Sequence, residues 1–155
     1  MRLASIFDTP FDDVKQYYKD AKVDVVTGIA SPSEMGFFDV VTSCHKLQQH
    51  PQTEVLPALM AWKAYLKPKG EMFILVPSLE WSAKAIIRND FNPLIIPSIF
   101  GMNGENKTGF TLPVLRRFME LAGFRVVVAR SGEYTVSTSK GNYTAEQHLV
   151  KGVLA

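Results

Sequence analysis

The chain has 155 residues, a net charge of +2 and an apolar fraction of 46%. That length fits one domain, residues 1–155, around a single core, and that composition excludes a disordered chain. No apolar stretch is long enough to span a bilayer, the N-terminus does not read as a signal peptide, and no run of Lys and Arg forms the dense basic stripe that nucleic-acid backbones require. The lone cysteine, Cys44, rules out an internal disulfide and suits a reducing compartment, so a cytoplasmic location is expected.

Arg2 to Phe7 reads as a short first strand. Thr9 is placed to cap a helix with Pro10 at its first position, and Phe11, Val14, Tyr17 or Tyr18 and Ala21 then recur at helical spacing up to Lys22. Asp12 and Asp13 fall in the first turn, where carboxylates suit the helix dipole. Val23 to Ile29 predicts a second strand, and residues 31–36, with Ser31, Pro32 and Gly36, a loop. Phe37 to Ser43 predicts a third strand, with Cys44 to His50 beyond its carboxyl end. Pro51 to Leu66 carries Val55, Leu59, Trp62 and Leu66 on one helical stripe, stopped by Lys67-Pro68-Lys69-Gly70.

Met72 to Val76 is five apolar residues in a row between turn signals, the pattern of a strand buried on both faces in a mainly parallel sheet. Ser78 can cap a helix over 79–89 with Trp81, Ala85 and Ile86 inward. Residues 92–106 read as a long, mostly irregular segment with a short helical piece. Its apolar residues, Leu94 to Phe100, fit a substrate cover or a subunit contact, which leaves a homodimer open. Thr111 caps a helix running to Ala122, and Gly123 ends it. Phe124 to Ala129 is a further strand, Glu133 to Ser137 an edge strand, Lys140-Gly141-Asn142 a turn, and Gln147 to Leu154 a last strand paired antiparallel. The predicted fold is α/β: a Rossmann-like, doubly wound, mostly parallel sheet with an antiparallel C-terminal strand, in three layers, α/β/α. Ligands bind such sheets outside the carboxyl ends of their strands.

Four places resemble the class I S-adenosylmethionine-dependent methyltransferases, and more narrowly their small type 11 group. Phe38-Asp39-Val40-Val41 with Ser43 to His50 is similar to that group's strand and the turn after it. Tyr65 to Gly70 is similar to its LKPGG turn, with Lys69 in place of a glycine. Phe73 to Pro77 is similar to the strand ending in VP, and Asn106 to Thr111 with Ala122-Gly123-Phe124 is similar to its TGFT and AGF stretches. The resemblance covers roughly Val23 to the C-terminus and implies transfer of a methyl group from S-adenosylmethionine to an O, N or C atom of an acceptor the sequence does not name. Such transfer depends on placement more than on a strong catalytic group, and no catalytic residue stands out.

The first part, residues 1–22, departs from this family. The resemblance calls for a glycine-rich turn after the first strand, and Leu3 to Asp8 has no glycine; a family acid would fall at Gly28. The chain is therefore a shortened member, a non-catalytic binding or assembly module that keeps the fold, or an enzyme that holds its cofactor by other contacts. By resemblance and position, cofactor contacts are expected at Ser5, Asp8, Gly28, Ile29, Ser43, Cys44 and His45, and substrate contacts at His50, Asn106 and Lys107. Read from the residues alone, Cys44 has no evident activating partner, and Cys44, His45 and His50 do not have the spacing of a zinc site, so no metal is expected. Asp24 and Asp39 sit at strand starts and read as structural, and Asp8 reads as part of a helix entrance.

Overall fold

The computed structural model describes residues 1–155, the side chain of Asp13 excepted, so the expected role of that side chain lies outside the described residues. The strands are β1 (Arg2–Ile6), β2 (Lys22–Val26), β3 (Phe38–Cys44), β4 (Leu66–Pro77), β5 (Phe124–Thr138) and β6 (Gly141–Leu154). The helices are α1 (Asp12–Tyr17), α2 (Gln52–Lys63), α3 (Leu79–Ile87), α4 (Ile95–Phe100) and α5 (Leu112–Leu121), with a 3-10 turn at Leu47–Gln49.

The six strands form one sheet in the order β2-β1-β3-β4-β6-β5. The first four are parallel, and β6 runs antiparallel to β4 and β5. Met72 to Val76 is fully buried in β4, between β3 and β6, as expected of a strand covered on both faces. On one face Val55, Leu59 and Trp62 of α2 and Leu115 and Met119 of α5 pack on Ala4, Val41, Ile74 and Val150. On the other, Val14 of α1 and Tyr18 just after it pack on Leu3, Val40, Phe73 and Leu149. Each fully buried Leu or Val side chain contributes about 1.5–3 kcal/mol of apolar burial, so both helix layers are held chiefly by these stripes. The fold is the predicted three-layer, mostly parallel α/β sheet with an antiparallel strand at the C-terminus.

Capping follows the sequence closely in the second half. The Ser78 hydroxyl accepts from the Trp81 amide (3.1 Å), the Thr111 hydroxyl accepts from Val114 (3.4 Å), and Gly123 takes φ +92° after α5. Several boundaries differ from expectation: β2 ends at Val26 rather than Ile29, β5 runs unbroken from Phe124 to Thr138 where two strands are expected, and β6 starts at Gly141 rather than Gln147. α1 is one and a half turns long and starts after Phe11, so Thr9 and Pro10 lie in the entering loop rather than at its cap. α2 ends at Lys63, because Tyr65 and Leu66 are drawn into the core and β4 begins at Leu66. There Lys69 takes φ +62°, doing with a side chain what a glycine would do more easily. In α3, Ser82 and Ala85 face inward and Ile86 is exposed, which corrects the expected stripe. Asp24 and Asp39 are structural as read: Asp24 pairs with Arg2 (2.7 Å), and Asp39 accepts from the Lys67 ammonium (2.8 Å) and the Arg2 amide (2.7 Å).

Candidate functional site on the carboxyl rim

Parallel strands β1, β2 and β3 end together on one rim, and the turns after them open two separate recesses. The larger recess lies over β1 and β3. It comprises a cavity of about 700 Å³ lined by Asp8, Phe11, His45, Glu133 and Tyr134, and a second of about 350 Å³ that shares Asp8, Phe11, His45 and Tyr134 and is bounded further by Cys44, Lys46, Gln48, Pro97, Ser98 and Asn106. The smaller recess, about 470 Å³, lies over β2 against α2, between Phe7, Gly28, Ile29, His50 and Trp62.

His45 is the centre of the larger recess. It follows β3 directly and takes φ +53°, a left-handed conformation that turns the chain sharply away from the strand. Its ring meets the edges of Phe11 (centroids 4.9 Å) and Tyr134 (5.0 Å), and its Nε2 lies 3.0 Å from the Gln147 side-chain oxygen. Burial among these groups lowers its pKa from the ordinary 6.5 to about 4, outweighing the Gln147 contact that pulls it upward; the nearby Lys46 charge adds to the fall. His45 is thus a neutral imidazole at physiological pH. Gln48, almost fully buried in the same wall, has a side-chain oxygen with no hydrogen-bond partner.

Asp8 lines both parts of this recess, with its carboxylate 3.3 Å from the Lys46 ammonium and 3.2 Å from the Thr9 amide. Its carbonyl accepts from the Ser5 hydroxyl, which closes the turn after β1. Cys44 is buried in the second apolar cluster and accepts from the Phe11 amide (3.4 Å), as a packed residue does. Asn106 borders the recess, held there because the Lys107 and Thr108 amides both donate to the Gln48 carbonyl (2.8 and 3.1 Å) and the Thr108 hydroxyl to the His50 carbonyl (2.7 Å). Lys107 is thereby fixed through its backbone, with an exposed side chain.

Apart from Lys107, which lines neither recess, the predicted site residues fall into three groups. Asp8, Cys44, His45 and Asn106 surround the larger recess; Gly28, Ile29 and His50 line the smaller one, where His50 meets the edge of Trp62 (5.6 Å). Ser5 and Ser43 are buried inside their strands. Sequence reasoning missed Phe7, Phe11 and Tyr134. Tyr134 reaches the rim because β5 and β6 form one long hairpin, with Tyr134 opposite Ala145 in a ladder that continues to Thr138 and Gly141. The available signal was the alternation of Tyr134 and Val136 with polar residues ahead of the Gly141 turn, which marks a strand but not its reach. Leu94 and Ile95 are buried, and Leu94 with Pro97 borders the recess, while Ile96 and Phe100 stay exposed. Among the described residues no group of three His, Cys, Asp or Glu could hold a metal ion, and no helix is long and apolar enough to cross a membrane.

No protein-family model matches the sequence, and no curated protein does either. Solved structures do match. A protein of Bacillus halodurans named a putative methyltransferase superposes with a TM-score of 0.64 at 12% identity, over 98% of this chain and 90% of that one. An S-adenosylmethionine-dependent methyltransferase of Anabaena variabilis gives 0.66 at 11% identity, over 100% and 77%. The 1,6-didemethyltoxoflavin N1-methyltransferase of Burkholderia thailandensis, solved with S-adenosylhomocysteine and its substrate, gives 0.63 at 13% identity, over 99% and 71%. The sheet order, its antiparallel C-terminal pair and the flanking helices are therefore those of the class I S-adenosylmethionine-dependent methyltransferase fold.

Proposed function

We propose that this chain is a methyltransferase-like protein whose S-adenosylmethionine clamp is lost or weakened, and that it serves as a binding module working through the carboxyl rim. The observation that carries this reading is the closure of the ends of β1 and β2 on each other. Where the resemblance calls for a glycine-rich turn, Phe7 takes φ +65° and lays its ring on Gly28. A Cβ at position 28 would come within 2.9 Å of that ring and 3.0 Å of the Trp62 indole nitrogen, and φ +85° there disfavours any L side chain. A carboxylate at this position, where the resemblance puts a family acid, fits only if the Phe7 ring and the Trp62 indole move aside. The residues present do not fit the cofactor in its usual grip.

The larger recess retains the features of a small-molecule site: apolar and aromatic walls from Phe11 and Tyr134, a neutral imidazole, and an unpaired Gln48 oxygen. These suit a small aromatic ligand carrying one or two hydrogen-bond donors. A second reading, an enzyme that holds S-adenosylmethionine by other contacts, draws support from the tie of residues 106–108 to Gln48 and His50, which keeps a built mouth on the recess. Its methyl acceptor is open.

Titration with S-adenosylhomocysteine, followed by thermal unfolding and calorimetry, separates the two. A ligand bound at about 10 μM and supplied at a hundredfold excess adds about 2.7 kcal/mol, which raises the melting temperature of a domain this size by about 5–10 °C. The binding-module reading expects no shift at millimolar ligand. A saturable rise overturns it in favour of the enzyme.

A further inference from the structure

β2 is the end strand of the sheet, so no strand of this chain pairs with its outer edge. Its hydrogen-bonding phase can be read from its inner edge. The Lys22 amide donates to Met1 (3.1 Å) and the Val26 carbonyl accepts from Phe7 (2.8 Å), so Lys22, Asp24 and Val26 direct their backbone groups toward β1. Backbone alternation then turns the N–H and C=O of Val23 and Val25 outward, toward the open edge. Both side chains are exposed, at 40% and 54%, and the strand contains no proline, glycine or bulge to guard it. A β-branched edge without proline or bulge can template another strand, provided its charges meet opposite charges.

Charge decides which strand fits. Lys22 and Asp24 share one face of β2, two positions apart, with Asp24 held in place by Arg2 at 2.7 Å. If a second copy of β2 runs antiparallel with the two Val23 residues opposite each other, each Lys22 faces the other copy's Asp24 across the pair, twice. Centring on Asp24 would set two carboxylates against each other, and centring on Val25 would leave Lys22 facing Gly28. We infer that two copies of this chain join their sheets through β2, antiparallel about a two-fold axis at Val23. That register makes Val23 a hydrogen-bonded pair exchanging both N–H···O bonds, and it is self-complementary, as a two-fold interface must be. This interface does not depend on what the carboxyl rim binds.

Light scattering and sedimentation over a concentration series test the proposal on the full chain. The unaltered protein is expected to approach the mass of a dimer as concentration rises. Val23→Pro deletes an outward-facing donor and no inner ladder bond, so it should leave the melting temperature nearly unchanged and the protein monomeric. Lys22→Glu places like charges opposite one another and should also dissolve the dimer; adding Asp24→Lys restores opposite charges and should restore it. If Val23→Pro unfolds the chain, the charge-swap set still decides. An unaltered protein that stays monomeric throughout the series overturns the proposal. So does a dimer indifferent to the Lys22→Glu and Asp24→Lys changes, which would put the contact elsewhere, as on the exposed Ile96 and Phe100 of α4.

Discussion

His45 couples the rim to the stability of the whole fold through pH. In the folded chain its pKa is about 4 because burial penalises the imidazolium, whereas the unfolded chain takes up the proton near 6.5. Above pH 6.5 the ring is neutral in both states and costs nothing. As pH falls from 6.5 toward 4 the unfolded state gains a proton that the folded state refuses, so stability drops; below 4 both states are protonated and the loss stops growing. Integrating between pH 7 and pH 5 gives a loss of about 2 kcal/mol from this residue alone. Asn tolerates the left-handed backbone at position 45 and cannot titrate, so His45→Asn is the control. Urea unfolding of both proteins at pH 7, 6 and 5 should show the unaltered chain losing about 2 kcal/mol more than the variant across that range. Equal losses would mean that the ring is solvated and charged in the fold, and the neutral-imidazole reading of the recess would fail.

Gly28→Ala should cost about 2–4 kcal/mol in urea unfolding, combining a left-handed backbone with a Cβ driven into Phe7 and Trp62. Placing Phe7→Ala in the same chain should recover part of that loss relative to the single changes, and strict additivity would show that the two residues do not meet. Ser78→Ala removes the acceptor for the Trp81 amide and the donor to the Glu146 carboxylate (2.9 Å), and should lower stability by about 1–2 kcal/mol. A variant melting with the unaltered protein would show that α3 does not depend on its cap.

The elements legible in the sequence are those whose signal is local. Met72 to Val76 announces a doubly covered strand by composition alone, and Ser78, Thr111 and Gly123 mark helix ends by the chemistry of their own side chains or by having none. The start of β4 was hidden because Lys67-Pro68-Lys69-Gly70 looks like a turn. The strand passes through this stretch as an irregularity, with Phe38 opposite Leu66 on one side of it and Val40 opposite Glu71 on the other. α1 was overread for a similar reason. Tyr18 is apolar in spacing, but its hydroxyl donates to the Glu71 carboxylate (2.6 Å), which Lys151 also holds (2.9 Å), and these long-range bonds place the residue after the helix has ended. The rim was half legible. Position after a strand marked Asp8 and His45 as candidates and the resemblance marked Gly28, but nothing near Tyr134 says that a hairpin carries it across to His45.

Four non-glycine residues take left-handed backbone angles: Phe7, His45, Lys69 and Asn89. Such residues cost about 1 kcal/mol or more each, and they persist only where surrounding contacts hold them. Two of the four, Phe7 and His45, stand immediately after β1 and β3, adjacent parallel strands that open onto the same rim. Both put rings where a relaxed turn would leave space: Phe7 over Gly28, His45 between Phe11 and Tyr134. Phe7 lines the smaller recess and His45 the larger. Strain held at both strand ends is what the binding-module reading proposed above expects, its site shaped by aromatic side chains rather than by backbone amides exposed in a glycine turn.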